Sequence, residues 1–415
     1  MSKRLLLTAA ALAVAASPTR AETLAETIRA AAVSSPILAA ARARQEARIE
    51  LPEQARALGR LTAAGETGGG YDRFYGGGNA AGTVAVDLPI WTGGRVQSAV
   101  RAASADAAAG AQALRDVEAG VLVEVVAAYA ELLLQQQSVA IAGAQITLLE
   151  RQVAEAEARF RLGTGTQTDV MQLRAQREGA TGTEQSARAA LAAAEAQYRA
   201  LVGRSPGRLE QPGAVLPGLP SSALAARERA AQANPGVAAA ASEEQAARAR
   251  VDQARSEGAP SLGVAGSYGY GYAFGARDGA LRAASAGVTF RLPLLTGGLV
   301  ASRVRAAAAD ARAAGYDRDA AEREAVRNAD TAWANAAAAR ARVDAGERAV
   351  AAATRALEGV RAEYSLALRS TLDILIADQS LRGAQLSLAG ARSDLLVNEA
   401  VLLRATGALN ASIFS

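Results

Sequence analysis

The chain contains no histidine and no cysteine, and its only lysine is Lys3. Methionine occurs twice, at Met1 and Met171. These absences remove the usual carriers of thiol chemistry, disulfides, soft-metal binding and imidazole acid–base work. They also exclude a lipid anchor on a mature N-terminal cysteine. No nucleophile elbow and no phosphate loop occur. "GGGNAAG" at 76–82 and "GTGT" at 163–166 are glycine-rich. Neither has the strand–loop–helix setting and lysine of a phosphate cradle, so they read as loop and turn. Asp373 and Asp378 stand five positions apart. On a helix they diverge by about 140°, which excludes a glycosidase-like carboxylate pair. No catalytic residue, cofactor or metal-ligand set is expected.

Aromatic residues make up only 4% of the 415, and alanine dominates. Alanine has the best intrinsic helix propensity. Such a chain lacks the bulky side chains of a thick globular core. Long helices packed closely through small residues suit it better.

At the N-terminus, Lys3 and Arg4 precede the apolar run "LLLTAAALAVAA", and Thr19 and Ala21 stand at −3 and −1 of a small-residue cleavage site. The order predicts a secretory signal peptide over 1–21. The whole chain has 45 basic and 41 acidic residues, a net +4. Removing Lys3, Arg4 and Arg20 leaves 42 against 41, a net +1. A near-neutral mature chain offers no argument for nucleic-acid binding.

Proline is absent between Pro89 and Pro206, and after Pro293. Each proline-free interval opens on the same junction: Pro89, Thr92, Gly93 and Gly94 recur as Pro293, Thr296, Gly297 and Gly298, always 204 positions apart. Residues 95–161 then carry a helical stripe of Val121, Leu122, Val125, Tyr129, Leu132 and Leu133. Residues 299–365 match them in position. Each segment predicts a helix roughly 100 Å long, although Gly110, Gly120 and Gly143 weaken the case for an unbroken rod. The offset of 204 also pairs Phe160 with Tyr364, Leu162 with Leu366, Asp169 with Asp373 and Gly203 with Gly407. Shared alanine content cannot align so many landmarks, so an internal duplication is expected.

Each unit has a front of shorter helices, over 24–58 and 222–258, followed by strand-like sequence. Tyr268, Tyr270, Tyr272 and Phe274 alternate with Gly or Ala, the period of a strand. Four strands leave two open edges, a liability unless paired. In a membrane every backbone group must be satisfied, and three copies would close twelve strands into a barrel. The same pattern also fits a water-soluble sheet capping a helical bundle.

In their order and duplication, "LPIWTGGR" with "LPLLTGGL", "RLGTGTQTDV", "YSLALRSTLDIL", "ANPGV" and the terminal "LLRATG" resemble the TolC family of outer-membrane efflux and secretion channels. The likeness covers about 24–410. It implies a mixed α/β membrane protein: a trimeric 12-stranded transmembrane β-barrel, four strands per chain, continuous with a long periplasmic α-helical barrel. It implies an exit channel in the outer membrane that extends into the periplasm. The implied partners are outer-membrane lipid, a periplasmic adaptor and an inner-membrane RND or ABC transporter. The expected divisions are repeats at 22–203 and 222–407, a linker at 204–221 and a tail at 408–415. The alternatives are a periplasmic coiled-coil adaptor or a structural coiled coil without a channel.

The resemblance places the periplasmic entrance at the helix-hairpin tips. It implies gate residues Thr168 and Asp169 on the first hairpin, facing Tyr364 and Arg369 on the second. Asp373 corresponds to one constriction acid, while Ile376 replaces the other. Adaptor docking is expected around Arg161, Leu162 and Gly163, and around Ser365, Leu366 and Ala367. Tyr268, Tyr270, Tyr272 and Phe274 are expected on the lipid face. The glycine-rich 76–82 stretch is expected in an extracellular loop.

Overall fold

The computed structural model describes residues 21–72, 77–213, 215–275, 279–366 and 368–414. The expected leader lies outside these residues except for Ala21. Ala367 also lies outside them.

The described chain runs through one order of elements twice. Helices α1 (Leu24–Ser34), α2 (Pro36–Ile49) and α3 (Leu51–Ala57) lead to strands β1 (Thr62–Asp72) and β2 (Gly77–Trp91), then to α4 (Arg95–Arg161) and α5 (Gln167–Val202). Helices α6 (Ala223–Ala233) and α7 (Pro235–Ser256) lead to β3 (Ser261–Gly275) and β4 (Gly279–Arg291), then to α8 (Leu299–Ser365) and α9 (Thr371–Ala405). The front helices break where a cap meets a proline. Ser35 caps α2 ahead of Pro36, and Asn234 caps α7 ahead of Pro235.

Helices α4 and α8 are unbroken and 67 residues long. The glycines do not interrupt them. Gly110 is where α2 crosses closely: a Cβ there would fall 2.3 Å from Gln45 Oε1 and 2.5 Å from Arg48 Cδ. The helix trades local propensity for that approach. The strand-to-helix junctions turn on Gly93 and Gly94, with φ of 62° and 86°, and on Gly297 and Gly298, with φ of 59° and 80°. L-residues rarely adopt this left-handed conformation. A Cβ on Gly93 would also lie 2.5 Å from that of Ala259.

The strands form one antiparallel sheet in the order β1-β2-β3-β4. β1 and β4 keep an unpaired edge within the chain. The expected loop over 76–82 is corrected for its described part: Gly77–Gly82 lie in β2, paired with β1 and β3. Glycine and alanine give no side-chain period to read, and the backbone ladder holds the strand regardless.

The long helices fold back as two antiparallel hairpins, α4–α5 and α8–α9, with α7 packed between α4 and α8. Arg250–Asp106 and Arg101–Asp252 tie α7 to α4, and Arg318–Glu244 ties it to α8. The main core lies about midway along α4, where the predicted stripe is buried and Leu133 packs against it. Ile28, Tyr129, Tyr198 and Leu403 meet there. Glu22 is buried beside them. Its carboxylate accepts from Tyr198 Oη at 2.7 Å, from Thr27 Oγ1 at 3.3 Å and from Gly207 N at 3.1 Å, and it pairs with Arg204. Glu22 N donates to Arg208 O, and Glu210 N donates back to Glu22 O. The segment after α5 is thus stitched to the start of α1. Among the described residues, no helix is long and apolar enough to cross a membrane.

Candidate functional site

Two regions carry the candidate residues: the hairpin tips, about 100 Å from the sheet along α4 and α8, and the sheet itself.

Each return helix starts with a reciprocal cap. At the first tip, Asp169 N donates to Thr166 Oγ1 at 3.2 Å, and Thr166 Oγ1 donates to Asp169 Oδ2 at 2.7 Å. At the second, Ser370 N and Ser370 Oγ both donate to Asp373 Oδ2 at 2.8 Å. Two orphan N–H groups are satisfied in each box, and both acids face a positive helix end. The Ser370 amide and hydroxyl hold the Asp373 carboxyl below the usual carboxylate range, with Arg369 adding to the effect.

Within one chain, no described contact joins Thr168 or Asp169 to Tyr364 or Arg369. Asp169 is engaged in its cap, and Thr168 is exposed. Arg369 Nε lies 2.7 Å from Glu363 Oε2, and Arg369 Nη1 lies 4.0 Å from Asp373 Oδ1, both on its own hairpin. Tyr364 does bridge the hairpins, but to other residues. Its hydroxyl donates to Glu155 Oε1 at 3.1 Å, and the Arg159 guanidinium stands 5.2 Å from its ring centroid. Arg159 also pairs with Glu155 at 2.7 Å. Glu155, Arg159, Glu363, Thr166 and Ser370 are contributors that the sequence reading missed. The two caps had a local signal, a hydroxyl three positions before an acid. The bridge had none, because Glu155 and Tyr364 lie on different hairpins.

Arg161, Leu162, Gly163, Ser365 and Leu366 are exposed at the tips. Leu162 is 78% exposed and Leu366 70%, and Leu368 and Ile376 are exposed close by. Asp378 belongs to another environment. It is buried and held by Arg382 through contacts of 3.1 and 3.2 Å.

The sheet has two unlike faces. Directly paired residues share a face, so the register assigns them. Tyr268 pairs with Val84 and Ala284, Tyr270 with Gly82 and Arg282, and Tyr272 with Ala80 and Ala280. Val86, Leu88, Val264, Val288 and Phe290 continue that face toward the helices. The opposite face carries Thr62, Glu66, Asn79, Thr83, Asp87, Ser267, Ser285 and Thr289. Tyr268, Tyr270, Tyr272 and Phe274 are all exposed on the apolar side. Exposed apolar area on this scale is usual where a protein meets a membrane or another protein.

A family model described as outer membrane efflux protein matches residues 27–204 and, a second time, residues 226–408. The chain belongs to the outer membrane efflux protein family. Outer membrane efflux protein BepC of Brucella suis is 32% identical over 333 residues, which cover 80% of this chain and 73% of BepC. Outer membrane protein TolC of Vibrio cholerae is 30% identical over 305 residues, covering 70% and 68%. The fold is that of CusC, with a TM-score of 0.76 at 19% identity and 92% of both chains covered. It is equally that of the open-state MtrE outer membrane channel of Neisseria gonorrhoeae, with a TM-score of 0.74 at 20% identity, covering 92% and 88%. In this efflux-family chain, the two matched stretches begin within or beside the front helices α1 and α6 and end just past the return helices α5 and α9.

Proposed function

We propose that three copies close into a twelve-stranded barrel in the outer membrane, continuous with a periplasmic tube of helices. The tube is the exit duct of a tripartite efflux or type I secretion system, fed by a periplasmic adaptor and an inner-membrane RND or ABC transporter. The observation that carries this reading is the sheet: one apolar face, one polar face, and an unpaired edge on β1 and on β4. Pairing β4 of one copy with β1 of the next satisfies both edges and leaves no polar backbone open to lipid. The apolar face then meets lipid and the polar face lines water. A periplasmic adaptor with a single hairpin has no use for such a sheet.

The residue spans 22–203 and 222–407 act as duplicated halves, joined by 204–221 and followed by the tail 408–415, with residues 1–21 removed as a signal peptide. The tips form the periplasmic entrance, and Thr168, Asp169, Tyr364, Arg369 and Asp373 surround it. Cross-linking and mass measurement in mild detergent test the assembly. A trimer is expected; a stable monomer inserted in lipid, or a tetramer, overturns it.

A further inference from the structure

Among the described positions of the apolar sheet face, Arg282 is the single charged residue. It pairs directly with Tyr270, and its guanidinium carbon stands 5.7 Å from the centroid of the Tyr270 ring. A cation–π contact at this distance uses none of the guanidinium's five N–H donors. No carboxylate or carbonyl of the described residues accepts from them.

Closing the barrel does not change this. The edge that meets β4 is β1, whose residues on the apolar face are Ala63, Gly65, Thr67, Gly69 and Tyr71. None is acidic. Any register that keeps apolar side chains outside therefore brings Arg282 no counter-ion from the described residues of β1.

The height of Arg282 on the sheet is informative. Phe290, at the helix-proximal end of the same face, lies eight positions away along β4. That is about 27 Å of strand, or roughly 20 Å along the membrane normal at a usual barrel tilt. An outer-membrane barrel has an apolar band about 25 Å tall. Counted from Phe290, Arg282 thus falls just inside the outer border of such a band, where its long side chain can reach the headgroups, with the exposed Tyr272 one step beyond Tyr270 on β3. A cation there is costly against acyl chains and well placed for an anion at headgroup depth. A planar guanidinium fork matches a phosphate in both charge and geometry.

We propose that Arg282, seated over the Tyr270 ring, binds the phosphate of a lipid headgroup in the outer leaflet, one site per subunit around the barrel. The inference rests on the barrel reading given above, and the test separates the two. The parent, Arg282→Gln and Arg282→Lys proteins are first reconstituted into vesicles and washed with alkaline carbonate. If the parent washes off, the barrel reading fails, and this inference fails with it. Retained proteins are then purified in mild detergent. Melting of the assembled oligomer is followed with diphosphoryl lipid A, its dephosphorylated form, and inorganic phosphate alone. Diphosphoryl lipid A is expected to protect the parent at an at least tenfold lower concentration than Arg282→Gln, with Arg282→Lys between them. Dephosphorylated lipid A and inorganic phosphate are expected to protect neither. If Arg282→Gln inserts and is protected like the parent, the lipid site is wrong while the barrel stands. Equal protection by dephosphorylated lipid, or by inorganic phosphate alone, overturns it too.

Discussion

The Tyr364 hydroxyl donates to the Glu155 carboxylate at 3.1 Å, joining the last turn of α8 to the last two turns of α4. It ties the two helix hairpins of one chain together at their tips. Because the pair is partly solvated, it biases the spacing of the hairpins modestly. Tyr364→Phe and Glu155→Gln are each expected to raise the fraction of time the entrance conducts in planar bilayers, by about two- to fivefold for a bond of this class. The double variant is expected to match either single one. If the two effects instead add in full, Tyr364 and Glu155 do not act on the entrance through each other.

Asp373 is held in its charged form by Ser370, so its carboxyl titrates below the ordinary aspartate range. The sign follows. A depressed folded-state pKa contributes order that is complete above the unfolded value and is lost as pH falls through the folded value. The carboxylate is therefore expected to keep attracting cations at pH 4, where a free aspartate is about half neutral. Asp373→Asn is expected to shift the reversal potential under a salt gradient toward weaker cation preference at pH 7. An unchanged reversal potential shows that this acid does not set the field of the entrance.

Leu162 and Leu366 are exposed at equivalent turns with no core to fill. Replacing both with glutamate is expected to abolish export while leaving trimer formation and membrane insertion intact. Normal export by that double variant removes the tips as the adaptor contact.

Glu22 is a buried carboxylate whose pKa is lowered overall. Burial pushes it up, but Tyr198, Gly207, Arg204 and Thr27 together outweigh that push. Glu22→Gln removes the charged acceptor and is expected to cost about 1–3 kcal/mol. The thermal midpoint should fall most at neutral pH. The difference from the parent should shrink below the ordinary glutamate range, as pH falls through the folded pKa and the parent loses the same charge. A midpoint gap that is constant with pH contradicts a role for the charge.

Some of this molecule was local, and the sequence by itself determined it. The 67-residue helices follow from alanine-rich, proline-free stretches of 204-residue periodicity. Their starts follow from paired glycines in a conformation other residues avoid. Alternating aromatics at 268–274 named β3 and set its four rings on one face, because a strand's period is carried by adjacent residues. The tertiary structure alone decided the rest. Gly77–Gly82 became strand because β1 and β3 supply the hydrogen bonds on either side. Tyr364 met Glu155, and Glu22 met Tyr198, only where separate helices converge. Among the described residues Arg282 is the single charge on the apolar face, because the register sets Glu66 and Asp87 on the other side. Such partnerships have no signature in a linear chain: contact energy depends on distance in space, and a one-residue slip of register would reverse which face holds the charge.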